Sequence, residues 1–332
     1  MVQKYDFDCF LVATVGDTPL IALDWGTTSL RAYRFDRAGQ VVESRRLAAG
    51  ILRVAADGGF AHAFQQACGD WIAAAPASAI IACGMIGSAQ GWREAAYLDV
   101  PVGVDDLGRA LTEVATPGGA VLHIIPGLIA RGPLPEVMRG EETQVAGAIE
   151  GGHDAASHRG GDVWIGLPGT HSKWVRVRDR RIVQFRTFMT GEVFAALCEH
   201  TILGRTMRRP AVPDLQAFDR GVTIARSAGA RAGILSTMFS TRTLGLVGAL
   251  TAEAQGDYLS GLMIGHEIAA LEDLGERLEP IVLVGDDDLC QRYQRALVAL
   301  GHPSPEIARR ATERGLWHVG CAAGLVPRSE PC

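Results

Sequence analysis

Two turns in this sequence carry the residue types that grip an anion. Asp24-Trp25-Gly26-Thr27-Thr28-Ser29 lies near the start, and Leu167-Pro168-Gly169-Thr170-His171-Ser172 lies midway. A tight turn rich in glycine and hydroxyls aims several backbone N–H groups into one concavity, which suits phosphate oxygens. Two such turns facing each other across a cleft would hold the phosphates of one nucleotide from both sides. Asp24 stands at the end of an apolar run just ahead of Gly26. A carboxylate there could hold Mg²⁺, through water, beside the β- and γ-phosphates. The aligned position in the second copy is Leu167, which fits one metal served by one such carboxylate. The plain alternative for Asp24 is a turn cap that bonds its own backbone. The presence of the second turn favours the metal role.

Lys173 follows the second turn. Lys4 and Lys173 are the only lysines among 32 basic residues. A base-composition bias replaces lysine wherever arginine serves, so a retained lysine marks a place where a guanidinium does not fit. An ammonium at Lys173 could reach a phosphate as a point charge. The alternative is a solvent-facing strand residue like its neighbours Arg176 and Arg178. For the proton chemistry, Met138-Arg139-Gly140-Glu141-Glu142-Thr143-Gln144 offers two adjacent acids at a helix start. Such acids also complement the helix dipole. Placed shortly before the second turn, one of them could orient an acceptor hydroxyl and take its proton.

The elements that must position these groups are legible as apolar runs and turn signals. Strands are expected over Leu20–Leu23, Leu30–Phe35, Val41–Arg45, Ala79–Cys83 and Val121–Ile125. A second set follows over Val163–Leu167, Lys173–Arg178, Arg181–Phe185 and Ile281–Val284. Helices are expected over Phe60–Ala75, Glu141–Glu150, Glu192–Leu203, Leu244–Ala254, Leu259–Leu278, Leu289–Leu300 and Thr312–Leu325. Strands mixed with helices in both halves predict an α/β fold with two similar lobes. The polar, glycine-rich stretch Gly151–Gly161 is the expected boundary. It divides residues 20–150 from residues 151–332, behind an N-terminal extension over residues 1–19.

Composition narrows the class. At 332 residues, 48% hydrophobic and 21% charged, the chain suits an ordinary globular enzyme. A formal charge of −5 gives no electrostatic case for nucleic acid. Asp6 and Asp8 precede the N-terminal apolar patch, the wrong order for a secretory signal. The uncharged stretch Trp71–Trp92 is broken by Pro76, Gly84, Gly87 and Gly91, so it reads as a buried strand with loops rather than a membrane span. Seven scattered cysteines without a Cys-x-x-Cys pair read as reduced thiols, with no zinc site. The expectation is a cytoplasmic protein.

In order, these elements resemble the superfamily of sugar kinases, Hsp70 and actin, whose two ribonuclease H-like domains enclose an ATP cleft. Within it, the chain resembles the 2-dehydro-3-deoxygalactonokinase family from about Leu20 to Leu325. The strings that carry this include Leu23–Arg31, Cys83-Gly84-Met85-Ile86-Gly87-Ser88 with Gly91-Trp92, and Met138–Gln144. Leu167–Trp174, Thr187-Phe188-Met189-Thr190-Gly191-Glu192 and Tyr258–Glu267 complete the set. The resemblance implies ATP and Mg²⁺ as cofactors. It implies phosphorylation of 2-dehydro-3-deoxy-D-galactonate at its terminal hydroxyl, in galactonate and galactose catabolism. By position Glu141 matches the catalytic carboxylate, with Glu142 second, and Asp24 and Lys173 complete the catalytic set. Gly26, Thr27, Thr28, Ser29, Gly169, Thr170, His171 and Ser172 would contact phosphate. Gly285 would lie on the adenine side, although the paired glycines usual there are absent and Asp286-Asp287-Asp288 follows instead. A sugar acid carries a carboxylate, so Arg31, Gly84, Met85, Gly87, Ser88, Trp92 and Arg139 are substrate candidates, with Thr190 and Glu192 facing substrate or phosphate or capping a helix. A kinase for the gluconate epimer or another sugar acid, a nucleotide-binding regulator without turnover, and an actin-like filament subunit are the alternatives. A homodimer is a possible assembly.

Overall fold

The computed structural model describes residues 18–54, 59–150, 162–273 and 278–326. Three strands open it: β1 (Leu20–Trp25), β2 (Leu30–Phe35) and β3 (Val41–Leu47) form an antiparallel meander. Helices α1 (Ile51–Val54) and α2 (Gly59–Ala74) lead to β4 (Ala79–Gly84), which pairs parallel with β1. After β5 (Tyr97–Asp99) and α3 (Val104–Arg109) come β6 (Thr112–Ala115) and β7 (Val121–Ile124). The sheet order is β3-β2-β1-β4-β7-β6. A small second sheet, β5-β8-β9, is made by β5 with β8 (Gly127–Ala130) and β9 (Glu136–Met138). Helix α4 (Glu141–Glu150) follows.

The later half repeats the plan. Strands β10 (Asp162–Leu167), β11 (Ser172–Arg178) and β12 (Arg181–Phe188) form another antiparallel meander, and β13 (Ile281–Leu283) pairs parallel with β10. With β14 (Glu306–Ile307) the order is β12-β11-β10-β13-β14. The helices are α5 (Thr190–His200), α6 (Leu215–Ala225), α7 (Ile234–Thr237), α8 (Ser240–Leu246), α9 (Gln255–Asp273), α10 (Asp287–Ala299) and α11 (Ala311–Ala322).

Each large sheet is covered on both faces, which is why its central strands read as continuous apolar runs. Ile21, Leu23 and Trp25 pack against Phe64, Ala67 and Trp71 of α2. The opposite face of that sheet, through Leu20 and Ala22, shares a core with Val145 and Ile149 of α4 and with Leu316 and Val319 of α11. Ile165 and Val175 of the second sheet enter the same core, so α4 and α11 lie between the sheets. Trp164 and Trp174 face the other way, onto Phe218 of α6, Ile264 of α9 and Tyr293 of α10.

Most expected elements are present, and two of them, Leu30–Phe35 and Glu141–Glu150, have the expected bounds. A helix over Leu244–Ala254 is not. The chain leaves α8 after Leu246, and Gly248 takes a left-handed φ of 73° that returns the backbone to Leu244 O through Ala249 N. A new helix then starts at Gln255, earlier than the expected Leu259. The short strands of the small sheet, and α6, were not anticipated. Their apolar runs are too brief or too mixed to signal alone. The expected boundary at Gly151–Gly161, and residues 1–17 of the expected extension, lie outside the described residues.

Candidate active site

The first turn is closed by Gly26 N donating to Ser29 O at 2.9 Å. The start of α1 ties its carbonyls back, with Ile51 N on Gly26 O at 3.1 Å and Leu52 N on Thr27 O at 3.3 Å. Among the described residues the N–H groups of Thr27 and Thr28 keep no partner. The second turn has the same character. Glu192 N donates to Thr170 O at 2.9 Å, while the N–H groups of Gly169, Thr170 and His171 have no partner among the described residues. Donors left free while carbonyls are tied back are the arrangement an anion nest requires.

Gly26 of the first turn and Gly169, Thr170 and His171 of the second line one cleft of about 680 Å³, whereas the anticipated Thr27, Thr28 and Ser29 are not part of its wall. Of the anticipated residues, Asp24, Gly26, Arg31, Gly84, Arg139, Glu141, Gly169, Thr170, His171 and Gly285 line it. Asp24 sits opposite Arg31 in the β1–β2 register, and Arg31 Nη1 lies 3.4 Å from Asp24 Oδ2. Burial pushes the Asp24 carboxyl up from its ordinary range; Arg31 pulls it down, and the negative charges of Glu313 and Glu141 push it up again. Tyr33, Gln144, Arg310, Thr312 and Glu313 line the cleft as well and were not anticipated. The first turn of α11 supplies Thr312 and Glu313. In sequence, that stretch reads only as a helix opening with an acid.

The two adjacent acids of α4 part company. Glu141 lines the cleft, with Arg139 N donating to its Oε2 at 3.1 Å and Lys173 Nζ 3.4 Å from its Oε1. Glu142 is fully buried and turned back on its own helix start. Gly140 N donates to Glu142 Oε2 at 2.7 Å and Thr143 Oγ1 to Oε1 at 3.1 Å. Burial, then the charge of Glu141, pushes the Glu142 carboxyl up to about 7. Lys173 is only 5% exposed, so it is not a solvent-facing strand residue. It holds Glu141 and is absent from the cleft wall.

Other anticipated contacts lie away from the cleft. Trp92 packs in an aromatic cluster, stacked on Phe60 and edge-on to Phe64 and Trp25. Met85, Gly87 and Ser88 form a short 3₁₀ turn and its exit behind Gly84. Thr190 donates to the buried Glu267 and lines a neighbouring cavity that meets the cleft at Gly169, while Glu192 pairs with His171 and so braces the second turn. Ser172 is 1% exposed and bonded to Tyr293 Oη at 2.9 Å. Gly285 lies against Pro168 O of the second turn. Asp286, first of the three aspartates, caps α10 by accepting from Asp288 N and Leu289 N. Among the described residues no group of three or more His, Cys, Asp or Glu is arranged to hold a metal. Mg²⁺ beside a nucleotide needs only one or two carboxylates, phosphate oxygens and water, so Asp24 with its acidic neighbours fits that ion.

Two sheets that share a five-strand order, the first with one strand more, stack about a shared helix pair in the two-lobed actin-like α/β fold expected from the sequence. Residues 24–319 match the model of 2-keto-3-deoxy-galactonokinase, and the chain belongs to that family. The 2-dehydro-3-deoxygalactonokinase of Escherichia coli (strain K12) is 35% identical over 282 residues, covering 85% of this chain and 90% of that protein. A Rhizobium meliloti relative, named a probable 2-dehydro-3-deoxygalactonokinase, is 37% identical over 84% of this chain and 89% of its own. A crystal structure of a Sinorhizobium meliloti protein superposes with a TM-score of 0.82 at 35% identity, covering 91% of this chain and 98% of that one.

Proposed function

We infer that this protein is an ATP-dependent kinase that phosphorylates 2-dehydro-3-deoxy-D-galactonate on its 6-hydroxyl. One observation carries the reading. The free N–H donors of Gly169, Thr170 and His171 share a single cleft with Asp24 and Gly26 of the first turn and with the carboxylate of Glu141, within a chain of this family. Glu141 accepts the proton of the 6-hydroxyl while its oxygen attacks the γ-phosphorus. The new O–P bond forms as the bond to the β,γ-bridging oxygen breaks, and ADP leaves. Lys173 and Arg139 N hold the Glu141 carboxylate in one orientation. The turns at Gly26 and Gly169 hold the phosphates, in line for transfer. Asp24 would hold Mg²⁺ through water, and that ion would neutralise charge on the β- and γ-oxygens.

A second cavity of about 850 Å³ meets the cleft at Gly169 and is lined by Gly256, Asp257, Ser260, Leu289 and Arg292. It is the place for adenosine, one step beyond the phosphates, and Gly285 serves the phosphate side instead. Arg139 suits the sugar-acid carboxylate. It is 8% exposed and stacked on Tyr97, its Nη2 donates to Ala95 O at 2.7 Å, and its Nε and Nη1 have no partner among the described residues. A buried guanidinium with spare donors calls for an anion. The division into lobes over residues 20–150 and 151–332 would let the cleft close and exclude water, since an open site wastes ATP. No described helix is long and apolar enough to cross a membrane, and we place the enzyme in the cytoplasm.

The test is a coupled ADP-release assay with a panel of 2-keto-3-deoxy sugar acids beside neutral hexoses. Turnover is expected on the sugar acids, fastest on the galactonate epimer, and not on hexoses. Turnover confined to a hexose would overturn the substrate assignment.

A further inference from the structure

Behind the second turn lies a buried carboxylate that the chemistry above does not use. Glu267, on α9, is 3% exposed. Three side chains from three other elements converge on it. Trp174 Nε1 of β11 donates to Oε1 at 2.7 Å, Tyr293 Oη of α10 donates to Oε2 at 2.8 Å, and Thr190 Oγ1 at the start of α5 donates to Oε2. Burying a carboxylate costs several kcal/mol unless its oxygens are satisfied, and an apolar side chain would fill the space at lower cost. A carboxylate differs from an apolar residue in one respect. It accepts from several directions at once, and so fixes where each donor points.

Two of those donors lead to the nucleotide turn. Tyr293 gives its one hydroxyl proton to Glu267, so the 2.9 Å contact between Tyr293 Oη and Ser172 Oγ is donated by Ser172. Ser172 ends the turn, and its proton is spent inward rather than on a phosphate. Thr190 leads to the other side. Gly191, the next residue, lies so close to the turn that a Cβ would fall 2.4 Å from Gly169 O and 2.9 Å from Thr170 Cα. Glu192 then donates its N–H to Thr170 O at 2.9 Å and pairs its carboxylate with His171. Each residue from Gly169 to Ser172 thus meets either Tyr293 or the Gly191-Glu192 pair that follows Thr190, and Tyr293 and Thr190 are the residues bonded to Glu267.

We propose that Glu267 is a positioning residue for nucleotide phosphate: through Tyr293 and Thr190 it holds the Gly169–Ser172 turn in the one geometry that keeps its N–H donors aimed at the cleft. This rests on the reading of that turn as a phosphate nest. Glu267 itself touches no reacting atom.

The test compares Glu267→Gln and Ser172→Ala, neither of which lines the adenosine cavity, with wild type, using KM for ATP, KM for the sugar acid, kcat and the Kd of ADP measured directly. Far-UV circular dichroism and thermal melts confirm folding. Each variant should raise KM for ATP and Kd for ADP about 10-fold, as expected when a positioned group drifts by a fraction of an ångström, with KM for the sugar acid within a factor of about two. A merely structural role would lower melting temperature and leave that split flat. If Glu267→Gln does not fold, Ser172→Ala, which loses only the link between the turn and Tyr293, decides. Folded variants with unchanged nucleotide affinity overturn the proposal. A Gly169→Val control separates the two levels. If it weakens ADP while the Glu267 set does not, the positioning role fails and the phosphate turn stands. If Gly169→Val also leaves ADP binding intact, the phosphate-turn reading fails first.

Discussion

The two turns begin from the same local plan and are supported in opposite ways. The first carries the charge. Asp24 stands at the end of β1, paired with Arg31 and pressed by Glu313 and Glu141, and a short helix ties back the turn's carbonyls. The second has Leu167 where the first has Asp24. Its support comes from distant parts of the chain, through Thr190, Gly191, Glu192 and the buried Glu267. Duplicated strand–turn–strand geometry thus yields one turn for electrostatics and one for rigid placement. Glu141 joins them, lying in the cleft with the first turn while its carboxylate is held by Lys173 at the exit of the second.

The largest effect should come from the residue shared by both turns. Glu141→Gln is expected to lower kcat by about 10²–10⁴-fold, the usual weight of a general base, with KM for ATP little changed. Glu142→Gln should change kcat by no more than a few-fold. The reverse pattern in the ADP-release assay would move the proton chemistry to the buried acid.

Next comes the charged turn. Asp24→Asn should lower kcat by about 10²-fold, on the scale of losing one preorganised electrostatic group, and raise the Mg²⁺ concentration for half-maximal rate. A Mg²⁺ titration that superposes on wild type would break the contrast between the turns. The rigid turn should respond differently. Gly191→Ala places a methyl against Gly169 O, and is expected to raise KM for ATP about 10-fold while the Mg²⁺ requirement stays put. If both variants shift the same parameter, the turns share one role and the comparison fails.

The smallest effect concerns stability. The folded Glu142 carboxyl titrates near 7 against an ordinary 4.5, so the folded state holds an extra proton between those values. This group's contribution to stability therefore falls as pH rises from about 4.5 to about 7, by at most about 3 kcal/mol. Glu142→Gln should flatten that part of the pH profile in denaturant melts. An identical slope in the variant would show that Glu142 titrates normally.

Much of this site is readable in one dimension because its signals are local. Alternation and a glycine-hydroxyl turn identify both nests, and the acids at Glu141 and Glu142 announce a helix start. The unusual retention of lysine marked Lys173 as special, though its partner proved to be Glu141. Arg310, Thr312 and Glu313 escaped notice because nothing in their neighbourhood distinguishes a cleft wall from an ordinary helix cap. Trp92, Thr190 and Glu192 were grouped with substrate contacts because type and proximity in sequence do not say which way a side chain faces.

The sequence by itself determined the strand–turn–strand units, the pairing of a carboxylate-bearing turn with one that lacks it, and the family to which the chain is similar. Local backbone preference and side-chain periodicity suffice for that. Only the tertiary structure decided which of two adjacent acids enters the cleft. One residue turns a helix by roughly 100°, and the core against α11 and the second sheet sets which face is buried. The same holds for Glu267, whose partners at Trp174, Thr190 and Tyr293 are far apart in the chain. A buried carboxylate acquires a purpose only when packing brings its donors within hydrogen-bond reach.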